Sequence, residues 1–275
     1  MIVHLYTRCW NDAHMLPFMF RHYDPIVQRY VVFDDGSTDS SLEILASNPK
    51  VEMHSMPPYS DPTSRVASGT SLQENCWQES RGVADWVIIT DIDEHLYHRD
   101  LNAYLAWCKR QGITLIPALG YQMLSEIFPD NDILLCGSVT TGAVSPAYNK
   151  LSVFSPDRVR AINFAPGRHS AVPEGEIIAP DEDELLLLHY KYLGFEQTHA
   201  RHQQSQTRQR EKDIAREWGH QYNWSRERLR EDWKQVAAQI VDVTAADYRA
   251  SDHHPWPRWW DGYRRSERLQ PLSVY

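Results

Sequence analysis

Apolar and polar residues alternate over residues 2–6 in a β-prone run, so the sequence opens on a strand. Asn11-Asp12 caps a predicted helix running to about residue 23, with Met15, Leu16, Phe18 and Met19 on its apolar side. The short apolar run 30–33 reads as a buried strand. It stops at Asp34-Asp35-Gly36-Ser37-Thr38-Asp39, which is turn chemistry feeding a helix over 41–47. Residues 51–54 read as a third strand, 56–68 as a Pro- and Ser-rich loop, and 70–83 as a helix. The unbroken apolar run 86–90, bounded by Asp85 and Asp91, is what a parallel strand covered on both faces requires. A helix over 101–111 and a strand over 113–119 follow.

This alternation predicts an α/β fold: a mostly parallel, Rossmann-like sheet flanked by helices. Beyond residue 120 the pattern breaks into short strands at 150–154, 158–162 and 185–189. From Glu196 the chain turns polar and helical, to about residue 218 and again over 225–241. The expected organisation is a sheet domain over 1–195 and a helical C-terminal extension over 196–275, separable from ligand binding. In open parallel sheets ligands bind beyond the carboxyl ends of the strands. Both acidic clusters, Asp34-Asp35 and Asp91/Asp93/Glu94, directly follow a strand and so project from one edge.

Composition narrows the field. The 275 residues are 42% hydrophobic and 24% charged, a globular balance. The net charge is −9, which leaves no electrostatic footprint for nucleic acid. No run approaches the ~18 apolar residues of a membrane span, and the opening MIVHLYTR has neither the basic nor the long apolar segment of an export signal. A cytoplasmic chain is expected. Cys9, Cys76, Cys108 and Cys136 lack CxxC spacing, which fits free thiols and argues against structural zinc. The tail carries Trp256, Trp259 and Trp260 with Arg258, Arg264 and Arg265. Self-packing is favoured there over peripheral contact with the inner membrane face. His253-His254 follows no strand, which argues against a metal site there.

The chemistry lies at the strand ends. Asp91 and Asp93, two carboxylates at i and i+2, form a cup of the oxygen ligands that Mg²⁺ or Mn²⁺ prefers beside a diphosphate. Asp34-Asp35 suits hydrogen bonds to a ribose or base edge. The FDDGSTD element, followed about fifty residues later by a strand ending in DIDEHL and then by LLLLHY-Lys191-Tyr192, resembles glycosyltransferase family 2. Within it, the likeness is to the family-2/family-92-like branch with a D-x-D-E signature. The resemblance covers roughly residues 1–195. It implies a GT-A fold, a nucleoside-diphosphate sugar donor (a UDP sugar foremost), a glycan or glycolipid acceptor, and inversion at the anomeric centre. Asp35 would meet the nucleobase or ribose with Asp34 beside it, and Thr7, Arg8 and Asn11 would line the nucleotide pocket. Asp91 would lie near ribose or metal, and Asp93 would ligate Mn²⁺ or Mg²⁺ with His169 or His189. Arg168 and Lys191 would meet phosphate oxygens. Glu126 or Asp130 would serve as base, although no acidic pair marks either.

Two rivals share these features. A haloacid-dehalogenase-type phosphatase also ends a strand in DxD, but it wants Thr or Val where His95 stands. A non-catalytic sugar- or nucleotide-binding module on the same scaffold would not need the intact acidic pair.

Overall fold

The computed structural model describes residues 1–265. The last ten residues of the expected C-terminal extension lie outside that range. A ten-stranded sheet forms the centre. Its parallel half is β1 (Val3–Cys9), β2 (Arg29–Asp34), β3 (Val51–Ser55) and β4 (Trp86–Ile89), in the order β4-β1-β2-β3. Helices α1 (Leu16–Tyr23), α2 (Ser41–Ser47) and α3 (Arg65–Asn75) connect them. Successive residues of β1 and β4 enter opposite cores. Val3, Leu5, Trp86 and Ile88 face one cluster, and Tyr6, Val87 and Ile89 face the other.

The remaining elements are β5 (Glu94–Tyr97), α4 (Leu101–Arg110), β6 (Leu115–Ser125), α5 (Leu135–Ser138), β7 (Thr141–Val144) and β8 (Lys150–Phe154). A small hairpin, β9 (Val159–Ala161) with β10 (Glu174–Gly175), leads to β11 (Leu186–Leu193). Then come α6 (Phe195–Gln206), α7 (Glu211–Ala215), α8 (Arg226–Ala237) and β12 (Val241–Asp242). β8 inserts antiparallel between β4 and β6, so β6 keeps the direction of the parallel half while no longer touching it. β6 is long enough to pair again in its second half, parallel with β11 and antiparallel with β7. β5, the strand just after the acidic pair, closes antiparallel on β11.

Two local expectations shift. α3 begins at Arg65 because Ser64 caps it, its Oγ accepting the Ala67 N–H at 2.9 Å. Asn11-Asp12 does not cap α1 with its side chains. Asn11 takes a positive φ of 51° and its Oδ1 accepts the N–H groups of Thr38 and Asp39. That bond staples the turn after β2 to the end of β1.

The tail packs inward. Asp183, fully buried, receives Arg258, Arg264 and the Trp260 indole N–H, the last at 2.9 Å. Trp260 is buried in the main core, while Trp256 stays 60% exposed beneath Arg258 and Arg264. His254 is buried against Tyr121, and His253 stacks on Tyr248. Among the described residues no helix is long and apolar enough to cross a membrane.

Candidate active site

Register levels the strand ends. Cys9 pairs with Asp34, and Tyr6 with Ile89, so Arg8, Asp35 and Asp91 emerge at one height. Beyond them opens a cavity of about 360 Å³ lined by Arg8, Asp35, Asp91, Asp93, His169, His189 and Lys191. These seven of the thirteen expected site residues therefore meet. β11 supplies two of them. His189 and Lys191 line the cavity with Tyr190 between them, while Tyr192 is buried away from it against Trp233.

The DxDE cluster divides by role. Glu94 is completely buried. Its carboxylate accepts from Lys150 and, at 2.6 Å, from Arg168, with Thr90 Oγ1 and the Asp91 N–H adding weaker bonds. Burial opposes its charge, but Lys150 and Arg168 outweigh that and hold the carboxyl well below the usual range. Asp91 faces the cavity among three cations: Arg168 at 3.5 Å, Arg8 at 3.8 Å and Lys150 at 4.0 Å. Asp93 stands apart from these cations, with His189 Nε2 at 3.3 Å from Oδ2. Burial again raises its pKa, and His189 overrides that to bring it to about 2.

Among the described residues no three His, Cys, Asp or Glu side chains cluster closely enough to form a metal cage. The Asp93–His189 corner supplies one oxygen and one nitrogen donor. That fits a divalent ion taking its other ligands from a diphosphate and water, the usual habit of Mg²⁺. His169 lines the same cavity on the Lys150 side, and burial lowers its pKa to about 4.

Of the other six, Thr7, Asn11, Asp34 and Arg168 serve the scaffold, and Glu126 and Asp130 lie outside the cavity. Asp34 accepts the N–H groups of Gly36 and Ser37, and Gly36 takes a φ of 80°. Thr7 is buried within β1, and Asn11 staples the turn. Arg168 is not offered to a phosphate: it is 1% exposed, bonded to Glu94 and to the Ile89 carbonyl. Glu126 lies outside the cavity with Oε1 bonded to the Trp233 indole N–H, and Asp130 is exposed in the following loop.

The C-terminal extension builds a wall that sequence reasoning missed. Gln197, Arg201, Gln209 and Tyr222 line the cavity. Arg201 bonds Asp12 at 2.6 Å and the carbonyls of Trp10 and Asn11. Arg208 stacks on Trp10, its guanidinium carbon 4.1 Å from the ring centre, and reaches Asp35 at 2.7 Å. Tyr59 donates to the same carboxylate, and Arg65 lies 3.7 Å away. Asp213 caps α3 from outside, accepting from Ser64 Oγ and the N–H groups of Arg65 and Val66. The spacing of Arg201 and Arg208, two helical turns apart on a polar helix, was the available signal, and it reads equally as a solvated face.

Arg8 depends on a glycine. Gly69 lies inside α3, where glycine costs roughly 1 kcal/mol against alanine. A Cβ there would sit 2.0 Å from an Arg8 guanidinium nitrogen. The helix gives up that stability and the guanidinium gains its place beside Asp91.

No protein-family model and no curated protein matches the chain. Solved structures that resemble it include S. aureus TarS 1-349 in complex with UDP, at 11% identity and a TM-score of 0.33, covering 57% of this chain and 47% of that one. Another is glucosyl-3-phosphoglycerate synthase from Mycobacterium tuberculosis in complex with Mn²⁺, UDP and glucosyl-3-phosphoglycerate. Its identity is 16% and its TM-score 0.34, with 61% of each chain covered. The chain thus spans less than two thirds of either. The functional reading rests on its own residues.

Proposed function

We propose that the chain is a GT-A-type glycosyltransferase that moves a sugar, with inversion, from a nucleoside-diphosphate sugar to a hydroxyl of a glycan or glycolipid. The observation that carries this is the convergence of Asp35, Asp91, Asp93, His189, Arg8 and Lys191 on one cavity at the strand ends. The rival phosphatase needs a nucleophilic carboxylate free to attack phosphorus. Asp91, the strand-end carboxylate, is instead held among three cations.

In this reading Asp35, held by Tyr59 and Arg208, meets the ribose or the base edge, with Arg65 and Trp10 beside it. Arg8 and Lys191 meet the diphosphate, and Arg8 is the better suited because its planar guanidinium can pair two oxygens. Asp93 and His189 would hold Mn²⁺ or Mg²⁺, which supplies Lewis-acid screening of charge on the leaving group. His14 is the group that takes the acceptor proton in place of Glu126 or Asp130. It lines the cavity and makes no hydrogen bond among the described residues. Burial and then Arg201 lower its pKa to about 4, so at neutral pH its imidazole is unprotonated and able to accept.

Calorimetry with UDP, GDP and dTDP, each with and without Mn²⁺, tests the reading. UDP binding that tightens with metal is expected. Absence of binding by all three nucleotides would refute it.

A further inference from the structure

We propose that a second cavity beside the first is a subsite for a neutral sugar unit of the acceptor, one unit removed from the hydroxyl that is glycosylated. This rests on the function proposed above and makes the acceptor an oligosaccharide chain.

The cavity has a volume of about 410 Å³, within the roughly 300–1,000 Å³ of small-molecule sites. Phe128 and Gln197 belong to the walls of both cavities, so the two adjoin across a shared rim. Gly194, at φ 68°, keeps that divide thin. A Cβ there would come within 2.7 Å of Gln197 Oε1 and 2.8 Å of the Phe128 nitrogen.

The lining is that of a site for hydroxyls on a ring. Phe128 is fixed by Phe18 and His14, and offers an apolar surface together with Ile127, which is 77% exposed. Glu126 has one carboxylate oxygen held by Trp233 at 2.8 Å, which orients the other. The Arg230 guanidinium lies 3.3 Å from the centre of the Phe195 ring and makes no hydrogen bond among the described residues. Stacking fixes its plane while its N–H groups stay free for a ligand. Gln197 supplies both a donor and an acceptor.

Charge decides between ligand classes. Glu196 is spent on a two-bond pair with Arg226. That leaves Glu126 and Arg230, one charge of each sign. An anionic acceptor group would need an excess of cations, and none is present. A neutral polyhydroxylated ring uses both signs, donating to Glu126 and accepting from Arg230.

The test uses the full chain with UDP present. Maltotriose, cellotriose, chitotriose and mannotriose, with their monosaccharides and with the same sugars phosphorylated, are titrated by saturation-transfer NMR against wild type and Arg230→Ala. At least one trisaccharide should bind about tenfold more tightly than its monosaccharide, and Arg230→Ala should erase that gain without changing monosaccharide binding. Equal binding of mono- and trisaccharides by wild type would overturn the subsite. So would an equal loss of both in the variant, preference for the phosphorylated sugars, or no binding by any trisaccharide in a protein that binds UDP. Length-dependent binding by a protein that binds no nucleotide would support the subsite and refute the proposed function instead.

Discussion

Replacing Glu94 by glutamine removes one charge from a site where two buried cations depend on it. Glu94 is 0% exposed, and the side chains of Lys150 and Arg168 are 7% and 1% exposed. Glutamine keeps the shape and one acceptor oxygen, but its amide N–H groups then face an ammonium or a guanidinium. Removing one partner of a buried pair costs about 3–5 kcal/mol. Asp91, at 3.5 Å from Arg168 and 4.0 Å from Lys150, recovers a part of the loss of both partners at once, so that range stands. At roughly 2–4 °C per kcal/mol for a domain of this size, the melting temperature should fall by about 6–20 °C. Differential scanning calorimetry of wild type, Glu94→Gln, Lys150→Met and the double variant gives the coupling directly, and the double variant should recover part of the loss. A Glu94→Gln protein melting within about 2 °C of wild type would refute the reasoning, because that is less than about 1 kcal/mol.

The same group fixes a pH window. The folded pKa of Glu94 lies well below its ordinary value, so its contribution is fully present above the unfolded value, about 4.3, and is lost as pH falls through the folded value. Asp93, at about 2, acts in the same direction over the same window. The difference in stability between wild type and Glu94→Gln therefore isolates Glu94. It should be constant at neutral pH and shrink below about pH 4.3.

Asp93→Asn should act mainly on turnover. It should lower the melting temperature less than Glu94→Gln, since only the His189 contact is lost, yet lose about 10²–10³-fold in transfer rate at limiting Mn²⁺ in a UDP-release assay, because a neutral amide is a poor ligand for a hard dication. Near wild-type turnover with a working donor would remove Asp93 from the site. Truncation near Gly194 should abolish UDP binding, measured by calorimetry on whatever soluble protein results, since Arg208 then leaves Asp35 and Asp213 leaves the start of α3. This reverses the separability expected from the charge change at residue 196, and retained UDP affinity would restore it.

Much of the sheet was legible because its strands are buried on both faces and bounded by turn residues. The run 86–90, short and bounded by aspartates, reads as a central strand, and the DxD that follows it opens on the cavity at the strand ends. β5 was not legible, since Glu94–Tyr97 holds two polar residues: Glu94 finds its partners on β8 and the turn around Arg168, and the buried His95 ring stacks on His22 of α1. The roles within DxDE were likewise hidden. Sequence spacing places three acids together, and only the distant cations Lys150 and Arg168 separate the buried one from the two that face the cavity.

The segment after residue 195 was expected as a separable extension, yet its residues line the cavity, and the reason this was not legible is physical. A helix that covers a polar site must itself be polar on the covering face, so hydropathy cannot distinguish it from a helix facing water. α6 buries Phe195, Thr198, His202 and Ser205, and Thr198 and Ser205 line the cavity together with Gln197 and Arg201. Arg201 of α6 and Arg208 just beyond it bind through charge and ring stacking on Trp10 rather than through apolar area. The acids they neutralise, Asp12 and Asp35, lie in the half of the chain that carries the excess negative charge. The uneven distribution, 25 acidic against 14 basic residues before position 196 and 12 against 14 from it onward, matches these ion pairs between the two segments. Read as complementarity across the fold, that imbalance points to the contact; read as a boundary, it points to two domains.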